Sequence, residues 1–159
     1  MRPSSERDQQ LLENVRTLVG ELISKLPEKS AVVQTKSQPR STVLEILPTN
    51  SRAAPITIVV PDNAEEKGVT LIAGRGSFFE IPRNGGRYTN FTFLEELKSI
   101  IGAVFAGGLE EFVTLGGDEV LQGKGTIQLQ GEPMTVRWGR LSFRPFRKKE
   151  RKHFKYEPY

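Results

Sequence analysis

A chain of 159 residues with no cysteine fits one domain, large enough to bury a core without a disulfide or metal staple. It excludes a disulfide framework and any thiolate metal site. The net charge of +4 is uneven: residues 140–159 carry eight Lys and Arg against Glu150 and Glu157, whereas residues 1–139 hold fifteen basic and seventeen acidic side chains, so the basic pI describes the C-terminus and not the body.

The first ten residues, MRPSSERDQQ, are polar and mixed in charge, with no apolar run of a signal peptide behind them. The longest apolar stretch, IIGAVFAGGL (100–109), is too short to span a bilayer. A cytoplasmic bacterial protein with no membrane span is the expectation.

Residues 6–26 read as a helix. Leu11, Leu12, Val15, Leu18, Val19, Leu22, Ile23 and Leu26 recur at helical spacing, Ser5 and Asp8 approximate a capping box, and Pro27 ends the run. Residues 28–41 and 48–55 are rich in Ser, Pro, Lys, Asn and Gln and read as loops. TVLEIL (42–47), PITIVV (55–60) and VTLIA (69–73) are short, β-branched and bounded by turn residues, as strands are. PDNAEEKG (61–68) is a polar connection. The glycines of GRGSFFEIP (74–82) lead into a strand-like run and lack a following Gly-Lys-Ser/Thr, which favours a hairpin over a phosphate cradle. RNGGRYTN (83–90) is a further turn.

A second helix opens on a Thr92–Glu95 capping box. Leu94, Leu97, Ile101, Val104 and Phe105 line one side, and Gly107-Gly108 closes it. The last third reads as a meander: EEFVTL (110–115), EVLQ (119–122), TIQLQ (126–130) and MTVRW (134–138), with turns at 116–118, 123–125 and 131–133. Alternation in TIQLQ turns Ile127 and Leu129 inward. Met134, Val136 and Trp138 share a face, while Leu141 and Phe143 fall out of phase, which predicts a β-bulge near Gly139. The expected fold is α+β. It is a single domain over 1–143, in which two amphipathic helices pack on one face of a curved antiparallel sheet, followed by a basic aromatic tail over 144–159.

The search for chemistry finds little. His153 lies in the basic run, no His pair or calcium loop is present, and neither a cofactor nor a metal is expected. Adjacent acidic pairs, Glu110–Glu111 among them, point to opposite faces of a strand and make no carboxylate pair. Glu80 shares a face with Phe78 between apolar neighbours. It is either a partly buried carboxylate or, the reading we favour, an outward residue beside Arg75 or Arg83. These observations predict a binding protein, not an enzyme.

The C-terminal run RPFRKKERKHFKYEPY (144–159) stays open to three readings. Arg144, Arg147, Lys148, Lys149, Arg151, Lys152 and Lys155 can hold a phosphate backbone while the interleaved rings stack on bases. The same charges suit an acidic protein partner. Alternatively Phe146, Phe154 and Tyr156 pack back over the sheet and leave the cationic heads in water.

VTLIAGRGSFFEIP (69–82) and FTFLEELKSIIGAVFAGGLEEFV (91–113), about a quarter of the chain, resemble in layout small bacterial α+β proteins. Some of these are encoded beside polymorphic toxins and act as immunity proteins. The resemblance implies a non-enzymatic inhibitor that binds and blocks a protein partner. The basic C-terminus departs from the acidic character of immunity proteins directed at basic nucleases. On this reading Arg75, Phe78, Glu80, Arg83, Arg87 and Tyr88, which cluster at one hairpin, are the contact residues. The alternative is nucleic-acid or anionic-surface binding through the basic tail. The oligomeric state does not follow from the sequence.

Overall fold

A computed structural model describes residues 6–82, 90–117, 119–139 and 148–159. Helix α1 (Glu6–Ser24) turns Leu11, Val15, Leu18 and Val19 inward, the stripe expected from their spacing. Helix α3 (Asn90–Phe105) is the second long helix, with Phe93, Leu97, Ile100, Ile101 and Val104 fully buried. Its end is a Schellman motif. Gly107 takes the left-handed conformation at φ 75°, its N–H donates to Val104 O, and the Gly108 N–H donates to Ala103 O. The one-turn helix α2 (Ala64–Lys67) interrupts the polar connection at 61–68. No helix among the described residues is long and apolar enough to cross a membrane.

The molecule is α+β with antiparallel sheets, and the strands form two sheets where one curved sheet was expected. The first is a meander of β1 (Ala31–Gln38), β2 (Ser41–Pro48), β3 (Ile56–Pro61), β4 (Val69–Ala73) and β5 (Ser77–Ile81), in that spatial order. Alternation sends Leu44, Ile46, Ile56, Ile58, Leu71, Phe79 and Ile81 into one apolar cluster with both long helices. Strand β1 lies in a stretch read as loop. It pairs with β2 along its whole length, yet it is an edge strand and largely exposed. With no covered face there is no apolar alternation to read, and its Gln, Thr, Lys and Ser are what a solvated edge tolerates.

The second sheet contains β6 (Leu109–Gly116), β7 (Glu119–Gln128), β8 (Pro133–Gly139) and β9 (Lys149–Lys155) in the order β8-β7-β6-β9. Three strands run as a meander and the fourth returns beside the first, which is a Greek key. The expected turn at 123–125 is absent, because β7 continues through it. Gly123 and Gly125 are there for close approach. A Cβ on Gly123 would stand 2.2 Å from the Trp138 ring, and one on Gly125 would stand 2.0 Å from Ser77 Oγ. Trp138 also reaches Gly76, so these contacts join the second sheet to β5 and its hairpin. The register shift falls between Thr114 and Leu115, where Leu121 is the extra residue of β7. Pairing of β8 with β7 is regular up to Gly139, and residues 140–147, which include Leu141 and Phe143, lie outside the described residues.

Candidate functional site

The C-terminal run is built into the fold. Lys149–Lys155 is strand β9, hydrogen-bonded to β6 from Leu109's neighbour Glu110 to Gly116. A boundary at residue 143 therefore divides one sheet. The reason lies inside it: Phe154 and Tyr156 are half-buried and interact with the β4–β5 hairpin and β6. The Arg75 guanidinium sits 4.2 Å from the Phe154 ring centroid. Tyr159 packs on Phe105, its N–H donates to Phe105 O, and its hydroxyl donates to Ala54 O. Glu157 accepts from Asn50 and Arg52, and both bonds hold its carboxyl below the usual range.

Under β9 lies a fully buried carboxylate, Glu111. Its Oε1 accepts the Tyr156 hydroxyl and the Arg75 N–H, each at 2.7 Å. Burial pushes the carboxyl up from its ordinary value, against the pull of those two donors. Desolvation and the neighbouring Glu111 raise the Tyr156 hydroxyl in turn. Oε2 and Ser77 Oγ are buried without a hydrogen-bond partner. Glu111 thus ties the hairpin turn, β6 and the C-terminal segment at one point. Its neighbour Glu110 faces the other way, as the period of a strand requires.

The outer face of the second sheet is open and cationic. Antiparallel register sets Arg137, Lys124, Phe112 and His153 in one row across all four strands. The next row is Gly139, Gln122, Thr114 and Arg151, and on the other side lie Thr135, Thr126, Glu110 and Lys155. Phe112 is 52% exposed. Its ring is stacked on the His153 imidazole, with centroids 4.3 Å apart and planes 1° apart. Glu110 lies 3.3 Å from His153 Nε2 and 3.9 Å from Lys155 Nζ. Among the described residues no acidic side chain forms an ion pair with Lys124, Arg137 or Arg151. A groove of about 490 Å³ runs along this face, lined by Phe112, Thr114, Gln122, Lys124, Arg137 and Arg151 among others. Its charge and shape suit an anion with a flat, apolar part.

Of the residues expected at the hairpin, the three described ones do not share one face. Phe78 and Glu80 are exposed on the outer face of β5, opposite Ile72 and Thr70. Arg75 lies in the turn and leans on Phe154. Glu80 therefore faces water, and the buried carboxylate is Glu111. Arg83, Arg87 and Tyr88 lie outside the described residues, as do Arg144 and Arg147. Of the basic run, Lys149, Arg151 and Lys155 share the outer face of β9, Lys152 has the opposite register parity, and Lys148 precedes the strand. Sequence reasoning missed Phe112, Lys124 and Arg137. A signal was present in β6: Leu109, Val113 and Leu115 share one parity, which turns Glu111 inward and Phe112 outward. No cluster of metal-ligating side chains occurs among the described residues. No family model, curated protein or solved structure matches this chain.

Proposed function

We propose that this chain is a non-enzymatic binding protein that holds nucleic acid on the outer face of the β6–β9 sheet. The observation that carries the reading is three cations, Lys124, Arg137 and Arg151, without acidic partners among the described residues and set around the exposed ring of Phe112. They come from three different strands, so they are spaced along a surface and held by the sheet. Cations on an open face neutralise phosphates and release counterions, and binding then weakens as salt rises. Three phosphate contacts on a single strand give a slope of roughly −2 in log affinity against log salt. The basic C-terminal run contributes Arg151 to this face as part of a strand.

The test is fluorescence anisotropy with a labelled oligonucleotide. A fourfold rise in salt is expected to weaken binding by roughly twentyfold. The combined variant Lys124→Glu, Arg137→Glu and Arg151→Glu is expected to lose binding, whereas Phe78→Ala on the other sheet retains it. Unchanged affinity in the triple variant rejects the reading.

A second reading rests on a different surface. Val32, Leu47 and Phe78 are exposed apolar side chains on the outer face of the first sheet. They favour a protein partner, in keeping with the immunity-type resemblance. A stoichiometric protein partner captured equally well by Phe78→Ser and by the parent chain would count against it.

A further inference from the structure

We infer that Phe112 is a stacking platform for an unpaired base, so that the β6–β9 face selects single strands over duplexes. This rests on the nucleic-acid reading above and specifies its ligand. Among the described residues, Phe112 is the one large apolar side chain exposed on this sheet. A phenyl ring at the centre of a solvated face gains nothing for folding from that exposure. Its orientation is nevertheless set. His153 covers one ring face in parallel contact, and Glu110, two residues before Phe112 on the same face of β6, contacts the imidazole.

The other ring face is turned toward β7, because β9 and β7 flank β6 on opposite sides. Lys124 is directly across from Phe112 there, and Arg137 follows it in the row. The groove beside the ring has the volume of a small-ligand site, about 490 Å³. A base entering it lies against the phenyl face, within reach of the amide of Gln122 and the hydroxyl of Thr114. Its flanking phosphates meet Arg137 and Lys124 on one side and Arg151 on the other. A duplex offers this surface only its phosphates, since its bases are already stacked on each other. An unpaired strand offers both parts.

An acidic protein segment would also meet the cations, but it has no use for a pre-oriented ring with one open face. Binding is compared for a single-stranded oligonucleotide, the same sequence as a duplex, an abasic oligomer and inorganic polyphosphate, all at one salt concentration. The single strand is expected to bind tightest. Phe112→Ala is expected to weaken it by roughly five- to hundredfold, the range for one stacked base, and to leave polyphosphate unchanged. Phe112→Trp is expected to restore single-strand binding. Equal affinity for single strand, duplex and abasic oligomer overturns the inference while leaving the nucleic-acid reading intact. So does a Phe112→Ala variant that binds all four like the parent, where the triple charge reversal still abolishes binding. Failure of the parent chain to bind any nucleic acid, including the case where it captures only an acidic protein, overturns both.

Discussion

The two sheets are both antiparallel and both open on one side, and they share one aliphatic cluster, yet the second carries inner contacts that the first lacks. The first stands on aliphatic burial: Leu44, Ile46, Ile56, Ile58 and Leu71 are at most 2% exposed and share one cluster with α1 and α3. The second also buries aliphatics, Leu109 and Ile127 in that same cluster and Val113 on the same side of β6, and it adds a carboxylate, two glycines and a tryptophan on its inner face, together with an aromatic C-terminal segment. Their outer faces differ too. In the first sheet Lys36 pairs with Glu45 at 2.7 Å, across neighbouring strands. In the second, three cations stand around an exposed ring without acidic partners among the described residues. A sheet secured on its inner side by specific contacts leaves its outer side free to carry charge that does nothing for folding.

The largest expected effect comes from removing β9. A chain ending at Phe143 loses an edge strand, the Tyr156 bond to Glu111 and the Tyr159 packing on Phe105. Glu111 is then uncovered and β6 becomes an unpaired edge. The loss is expected to exceed about 5 kcal/mol, comparable with the whole stability of a domain. Circular dichroism should show no cooperative melting transition, and a normal melt would mean that β9 is dispensable.

A smaller effect separates two kinds of glycine. Gly123→Ala forces the Trp138 ring aside and is expected to cost about 2 kcal/mol. That lowers Tm by roughly 4–8 °C in a chain of this size. Gly20 is exposed in α1 with nothing within 4 Å of a Cβ. Gly20→Ala should therefore raise stability, by up to about 1 kcal/mol. Equal shifts in the two variants would mean that the Trp138 ring does not set the cost of a side chain at position 123.

The smallest effect is one of pH. Because burial raises the folded-state pKa of Glu111 above the ordinary 4.5, the folded chain keeps a proton that the unfolded chain releases. The stability from this group is full below the unfolded pKa and is lost as pH rises through the folded pKa. Glu111→Gln keeps an acceptor for Tyr156 and Arg75 and has no charge to bury. Its denaturation midpoint in urea, relative to the parent chain, is expected to rise with pH across that window. A relative midpoint that falls as pH rises would mean that Glu111 is carried as a stabilised carboxylate, and one that stays flat would mean that folding leaves its proton affinity unchanged.

Much of the first sheet was legible in the sequence, because VTLIA and PITIVV are apolar runs with turn residues on both sides. Strand β1 was not, since an edge strand exposed on both faces leaves no pattern of burial. In the second sheet, Gly123-Lys124-Gly125 read as a turn because glycine has two uses, positive φ and close approach, and only the ring of Trp138 on Gly123 tells which applies. The candidate site was half legible. The basic run drew attention to Arg151 and Lys155, but Lys124 and Arg137 lie 27 and 14 residues before Arg151 in the chain, and strand order alone makes them neighbours.

By itself the sequence determined the two long helices, the α+β class, the β4–β5 hairpin and the uneven charge. Each of these depends on periodicity, capping or composition within a short window. Only the tertiary structure decided that there are two sheets, that the basic run is a strand, and that Lys124, Arg137 and Arg151 share one face with Phe112. Those outcomes depend on which strand lies beside which. Pairing between residues tens of positions apart is set by the packing of whole faces, which no local window contains.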